Sequence, residues 1–158
     1  MRKLCKYIYI PSVALCLLIA TACIHKTGGA VTPWEKVHTY NAALAEANNA
    51  IEKGAEAVAT SGLASPKEMA PIINWTGQVA MLHQQITSIL AQGQATQPNI
   101  ASVKALVDVV KSSITTLPPS SLGLKNPKSQ QLFQNDVANI GTLADSLLAA
   151  LQAVGGTP

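Results

Sequence analysis

The stretch TPWEKVHTYNAALAEANNAIEKGAEAVATSG, residues 32–62, decides the fold. It opens on Thr32-Pro33-Trp34-Glu35, in which the Thr32 hydroxyl and the Glu35 carboxylate can each satisfy the other residue's free backbone N–H. Proline costs nothing at the first helical position, because that N–H has no helical partner anyway. Val37, Tyr40, Leu44, Ala47, Ile51, Ala55 and Val58 then follow at steps of three and four, one continuous apolar seam on a helix. Ser61-Gly62 closes it. The stretch predicts a helix over about 33–60.

The same punctuation recurs downstream at Ser65-Pro66, Gln97-Pro98 and Asn126-Pro127. Ser65-x-x-Glu68 is a second full capping box and starts a helix over about 66–91, with Ile72, Trp75, Val79, Leu82, Ile86 and Ile89 as its seam. Gly93 is placed to end it, and Pro71 to kink it near its start. A third helix, about 98–117, uses Ile100, Val103, Val107, Val110, Ile114 and Leu117 and stops against Pro118-Pro119; its many β-branched residues lower its intrinsic propensity. The fourth, about 127–154, uses Phe133, Val137, Ile140, Ala144, Leu147, Leu151 and Val154, widened by Leu143 and Leu148, and ends at Gly155-Gly156.

Four amphipathic helices on short connections must lie beside their sequence neighbours, so the expected fold is all-α, an up-down-up-down antiparallel four-helix bundle over 32–156. Three-four spacing also suits an elongated hairpin that completes its core as a homo-oligomer, and the seams do not separate the two. Gly54, Gly77 and Gly141 fall inside helices, and close packing between neighbouring helices is the expected reason for them.

Ahead of the bundle, Arg2, Lys3 and Lys6 precede an uncharged run from Tyr7 to Ala22, which closes on Ala20-Thr21-Ala22 before Cys23. These are a charged n-region, an apolar h-region and a small-residue cleavage site. The segment resembles bacterial lipoprotein signal peptides, although Ala20 stands where a larger aliphatic residue is usual. The resemblance implies a signal peptide over 1–22, removal of that peptide, a lipid on Cys23 and a short tether over 23–31. Ile24 lacks the acidic residue that retains such proteins at an inner membrane, so outer-membrane sorting is expected where the organism has one. The alternative is an uncleaved signal anchor, which Pro11 and the Ala/Thr-rich end disfavour.

Cleavage before Cys23 removes Arg2, Lys3 and Lys6, leaving eight basic against eight acidic residues, so the formal +3 of the whole chain belongs to the signal. No arginine follows Arg2 and the lysines are scattered, which excludes the basic stripe that nucleic acid requires. All three cysteines, Cys5, Cys16 and Cys23, lie at the N-terminus, so the bundle has neither a disulfide nor a thiolate metal site.

Little else carries chemistry. Glu35-x-x-His38 has the spacing of a di-iron ligand pair, but no second copy exists and Glu35 is already explained by the capping box. His83 with Met69 or Met81 offers a haem-type ligand pair, against which stands a half-buried histidine beside core methionines. Glu46, Glu52 and Glu56 form a solvated face. Trp34 suits either the membrane interface beside Lys26 or the end of the bundle. No nucleophile elbow or phosphate loop is present. We therefore expect no catalytic residue and no cofactor. The chain reads as a non-enzymatic envelope protein, held to the membrane through Cys23, that binds another protein through its Gln, Asn, Ser and Thr-rich faces. The alternative is a small-molecule or haem-binding bundle.

Overall fold

The structure, a computed structural model, describes residues 31–93, 95–116 and 124–155. The chain divides into two units, Met1–Val31 and Thr32–Pro158. The expected signal peptide over 1–22, Cys23 and all but the last residue of the expected tether over 23–31 lie outside the described residues, as do Leu117, Pro118-Pro119 and Gly156.

The second unit holds α1 (Pro33–Thr60), α2 (Pro66–Leu90), α3 (Gln97–Thr116) and α4 (Pro127–Gly155). Both capping boxes are formed. At α1, Glu35 Oε2 accepts from the Thr32 N–H at 2.7 Å and the Glu35 N–H donates to Thr32 Oγ1 at 3.2 Å. At α2, Glu68 Oε2 and Ser65 make the same exchange at 2.7 and 3.3 Å. α1 closes on Gly62 at φ +71°, with Leu63 N–H donating to the Val58 carbonyl and Gly62 N–H to that of Ala59, the paired bonds that consume a helix's last free carbonyls. Gly93 takes the same left-handed conformation after α2.

α3 begins one residue earlier than its proline suggests. Thr96 supplies the cap, since its Oγ1 accepts from the Asn99 N–H and its carbonyl from the Ile100 N–H, which moves Pro98 one position into the helix. α2 runs unbroken through Pro71, whose ring is exposed. α3 forms despite its β-branched residues because Val103, Val107 and Val110 are completely buried, and tertiary burial outweighs a propensity deficit of a few tenths of a kcal/mol per residue.

Each helix packs against two others, α1 on α2 and α4, and α3 on α2 and α4, with no backbone approach across either diagonal among the described residues. Partners run in opposite directions. Asn41 and Asn48 of α1 bond to Thr87 and Thr76 of α2, so the numbers rise on one helix as they fall on the other. Likewise, Gln97 Nε2 at the start of α3 donates to the Gly155 carbonyl at the end of α4, while Lys111 near the end of α3 pairs with Asp145 further back along α4. The fold is an antiparallel up-down-up-down bundle. Side chains close the diagonal, where Trp75 of α2 meets Phe133 of α4 edge to face at 6.2 Å.

Ser129–Gly155 is long enough, and in its most apolar 18-residue window, with a mean hydropathy of 1.4, apolar enough, to cross a membrane. Within the bundle its residues Phe133, Val137, Ile140, Leu147 and Leu151 face the core, while Leu132 is exposed.

The α1 seam differs from the one read by counting apolar residues. Its buried row is Val37, Asn41, Leu44, Asn48, Ile51 and Ala55, and Tyr40 and Ala47 are only half-buried beside it. Two asparagines seven residues apart occupy core positions.

The interior glycines also differ from expectation. A Cβ at Gly54 or Gly77 would meet no neighbouring atom within 4 Å, and one at Gly141 would make only an ordinary 3.8 Å contact with Ile114. Close packing inside the bundle does not require them.

Candidate functional site

Polar side chains enter the bundle at the contact between α1 and α2. The Asn48 amide nitrogen donates to the Thr76 carbonyl at 2.9 Å, and Asn41 Nδ2 donates to Thr87 Oγ1 at 3.0 Å. That hydroxyl lies 3.4 Å from His83 Nε2, one turn earlier on α2, placed to donate to a neutral imidazole. Partial burial, the one cause, lowers the His83 pKa below its ordinary 6.5. Asn41 and Asn48 are only 5% and 3% exposed, and among the described residues the Oδ1 of each accepts no hydrogen bond. An unmet buried acceptor costs roughly 1 to 3 kcal/mol, so these residues lower stability while fixing how α1 registers against α2.

The candidates for metal and haem binding do not converge. Glu35 is consumed by the Thr32 cap, whose N–H and hydroxyl hold its carboxyl below the usual range, and the His38 ring stands edge-on to Trp34 at 5.6 Å. Trp34 itself packs on the core at the end of the bundle. Met69 is buried near the start of α2, fourteen residues before His83 and so about 21 Å from it along the helix at 1.5 Å per residue. Met81 points outward, 59% exposed. Among the described residues, no three His, Cys, Asp or Glu side chains gather as a metal site would need.

The outer surface is divided by charge. α1 exposes Lys36, Glu46, Lys53 and Glu56, and α3 carries Lys104, Asp108 and Lys111 on its α4 side. Lys104 pairs with Asp108 at 2.6 Å, and Lys111 with Asp145 of α4 at 2.5 Å, a bond that raises the lysine's pKa. Both pairs are solvent-exposed and contribute little to stability. On α4, Asp136 is half-buried, and desolvation pushes its carboxyl up.

From Met69 to Val103, by contrast, there is no Asp, Glu, Lys or Arg. From Asn74 onward the outward side of α2 is uncharged, with Asn74, Gly77, Gln78, Met81, Gln84, Gln85 and Ser88 exposed on it; Lys67, exposed in the first turn, stands on the same stripe one heptad before Asn74. It continues onto the near edge of α3. Trp75 Nε1 donates to Ser113 Oγ at 3.0 Å, so the row Ser102, Leu106, Val109 and Ser113 faces α2, and Val109 stands 50% exposed on it. A two-helix face results, amide-rich and uncharged from Asn74 on, with Met81 and Val109 as its exposed apolar groups. Sequence reasoning foresaw amide-rich faces but not this one, because helix orientation decides which amides share a surface.

Comparison with protein-family models, with characterised proteins and with solved structures gave no match for this chain.

Proposed function

We propose that the protein is an exported, lipid-anchored helical module of the cell envelope that binds protein rather than transforming a substrate, and that the α2/α3 face is its binding surface. The observation that carries this is the charge partition. Interface cores are depleted in Lys, Glu and Asp and enriched in methionine, which is the composition of the face around Met81 and not of the α1 surface. The lipoprotein-type segment ending at Cys23 supports the anchor, and the short tether, at roughly 3.3 to 3.6 Å per residue, keeps the face near its own bilayer. Ile24 supports outer-membrane placement where such a membrane exists.

The test is short-range chemical crosslinking of cells making the full chain. The expected result is adducts above the monomer mass that disappear on Met81→Lys and persist on Ala42→Lys, a change on the outer side of α1. Adducts that survive Met81→Lys, or none at all, would contradict the reading.

A further inference from the structure

Resting on that reading, we infer that the α2/α3 face takes a second copy of this chain, with α2 packed antiparallel on α2 across a two-fold axis beside Met81. The uncharged composition points to this occupant. Two identical charged faces repel, whereas here no carboxylate or ammonium is brought against its own image. Amide side chains carry both donor and acceptor, so a face of Asn and Gln is complementary to itself.

The register is equally self-consistent. In an antiparallel pair, residues equally distant from the axis meet, which sets Met81 against its own image, Gln78 against Gln84 of the second copy, and Asn74 against Ser88 of the second copy. All five positions are exposed. Gly77 lies on the same stripe, in the interior of a helix that disfavours it, and no atom of the described residues would obstruct a Cβ there. A partner backbone passing close to α2 gives that glycine a purpose. Two adjacent helices of 25 and 20 residues offer a face roughly 30 Å by roughly 20 Å, or about 600 Å² per copy, so a pair exceeds the ~1,000 Å² that a specific interface needs.

The deciding experiment places a cysteine on the axis of the full-length protein in its native membrane. Met81→Cys, treated with a short thiol-specific crosslinker, should give an adduct of twice the monomer mass containing only this chain by mass spectrometry. The unsubstituted protein and Glu46→Cys, on the outer side of α1, should give no such increase. Adding Gly77→Arg to Met81→Cys, which puts a long charged side chain where the helix of the second copy must pass beside its Gln85, should abolish most of the dimer. An adduct with a different protein would overturn the homotypic pairing and leave the interaction reading standing. A Met81→Cys protein that forms no adduct of any kind would overturn the homotypic pairing, and the Met81→Lys crosslinking above then decides the interaction reading.

Discussion

The side-chain amide of Asn48 donates to the main-chain carbonyl of Thr76 at 2.9 Å between α1 and α2, while its own oxygen, equally buried, accepts from none of the described residues. One half of the group is satisfied and the other is not. Because the bond reaches a backbone atom, it marks a position along α2 rather than a particular partner side chain. Removing the unmet acceptor relieves more than losing a bond worth about 1 kcal/mol costs. Asn48→Leu should therefore raise the stability of the bundle by about 1 kcal/mol, read as a higher midpoint in chemical denaturation. A drop of similar size would show that the amide is worth more to the fold than its desolvation costs.

His83 should make stability depend on pH. Burial lowers its pKa in the folded bundle, so the unfolded chain takes up a proton first as pH falls. The contribution of the neutral imidazole is complete above the ordinary value of 6.5 and is lost progressively below it, down to the lowered folded value. Melting temperatures of the protein and of His83→Gln should keep a constant offset from pH 7 to pH 8 and converge or cross below 6.5, with the His83 protein falling faster. Parallel curves throughout would remove His83 as a sensor.

Asp136 has the opposite consequence. Its raised carboxyl means that the folded state holds a proton more tightly than the unfolded chain, so the buried carboxylate costs stability above the raised pKa. Asp136→Asn should stabilise the bundle at neutral pH, and the gain should shrink as pH falls towards the ordinary 3.8. Thermal melts of the pair at pH 7 and pH 4 measure it directly.

Gly54→Ala and Gly77→Ala should each stabilise the isolated bundle by about 1 kcal/mol, because helix-interior glycine is disfavoured by that amount and a Cβ at either position meets open space. The two should differ in association. Gly77→Ala should weaken the Met81→Cys crosslink and Gly54→Ala, on α1, should leave it unchanged.

Ser65→Ala removes the hydroxyl that accepts the Glu68 N–H and should cost about 1 kcal/mol in denaturant titration. The box also holds the Glu68 carboxyl below its usual range, first through the Ser65 N–H and then its hydroxyl. Its stabilisation is therefore present above the ordinary 4.5 and fades as pH falls through the lowered value, so the penalty for Ser65→Ala should diminish in acid.

The helices were legible in the sequence because their signals are local. Thr32 with Glu35 and Ser65 with Glu68 act within one turn, and Gly62 and Gly93 end their helices through their own backbone conformation. What escaped needs tertiary information. Tyr40 and Ala47 fit a three-four alternation as well as Asn41 and Asn48 do, and counting apolar residues selects the former. The usable signal was an asparagine pair seven apart, in phase with Val37, Leu44, Ile51 and Ala55. Thr96 displaced Gln97 as the α3 cap because a threonine hydroxyl satisfies a free N–H directly. The charge-free run from Met69 to Val103 is plain in the sequence, but only the rotation of α2 about its axis shows that Met81 faces outward while Met69 faces the core.

The proposed anchor at Cys23 is the central claim, and intact mass with membrane fractionation of the full-length product beside Cys23→Ser tests it most directly. The expected result is a membrane-bound chain beginning at Cys23 and heavier than its peptide mass by the attached lipid, with both properties lost in Cys23→Ser. A substituted protein of unchanged processing and unchanged membrane association would contradict it, and would leave the uncharged run from Tyr7 as an uncleaved anchor.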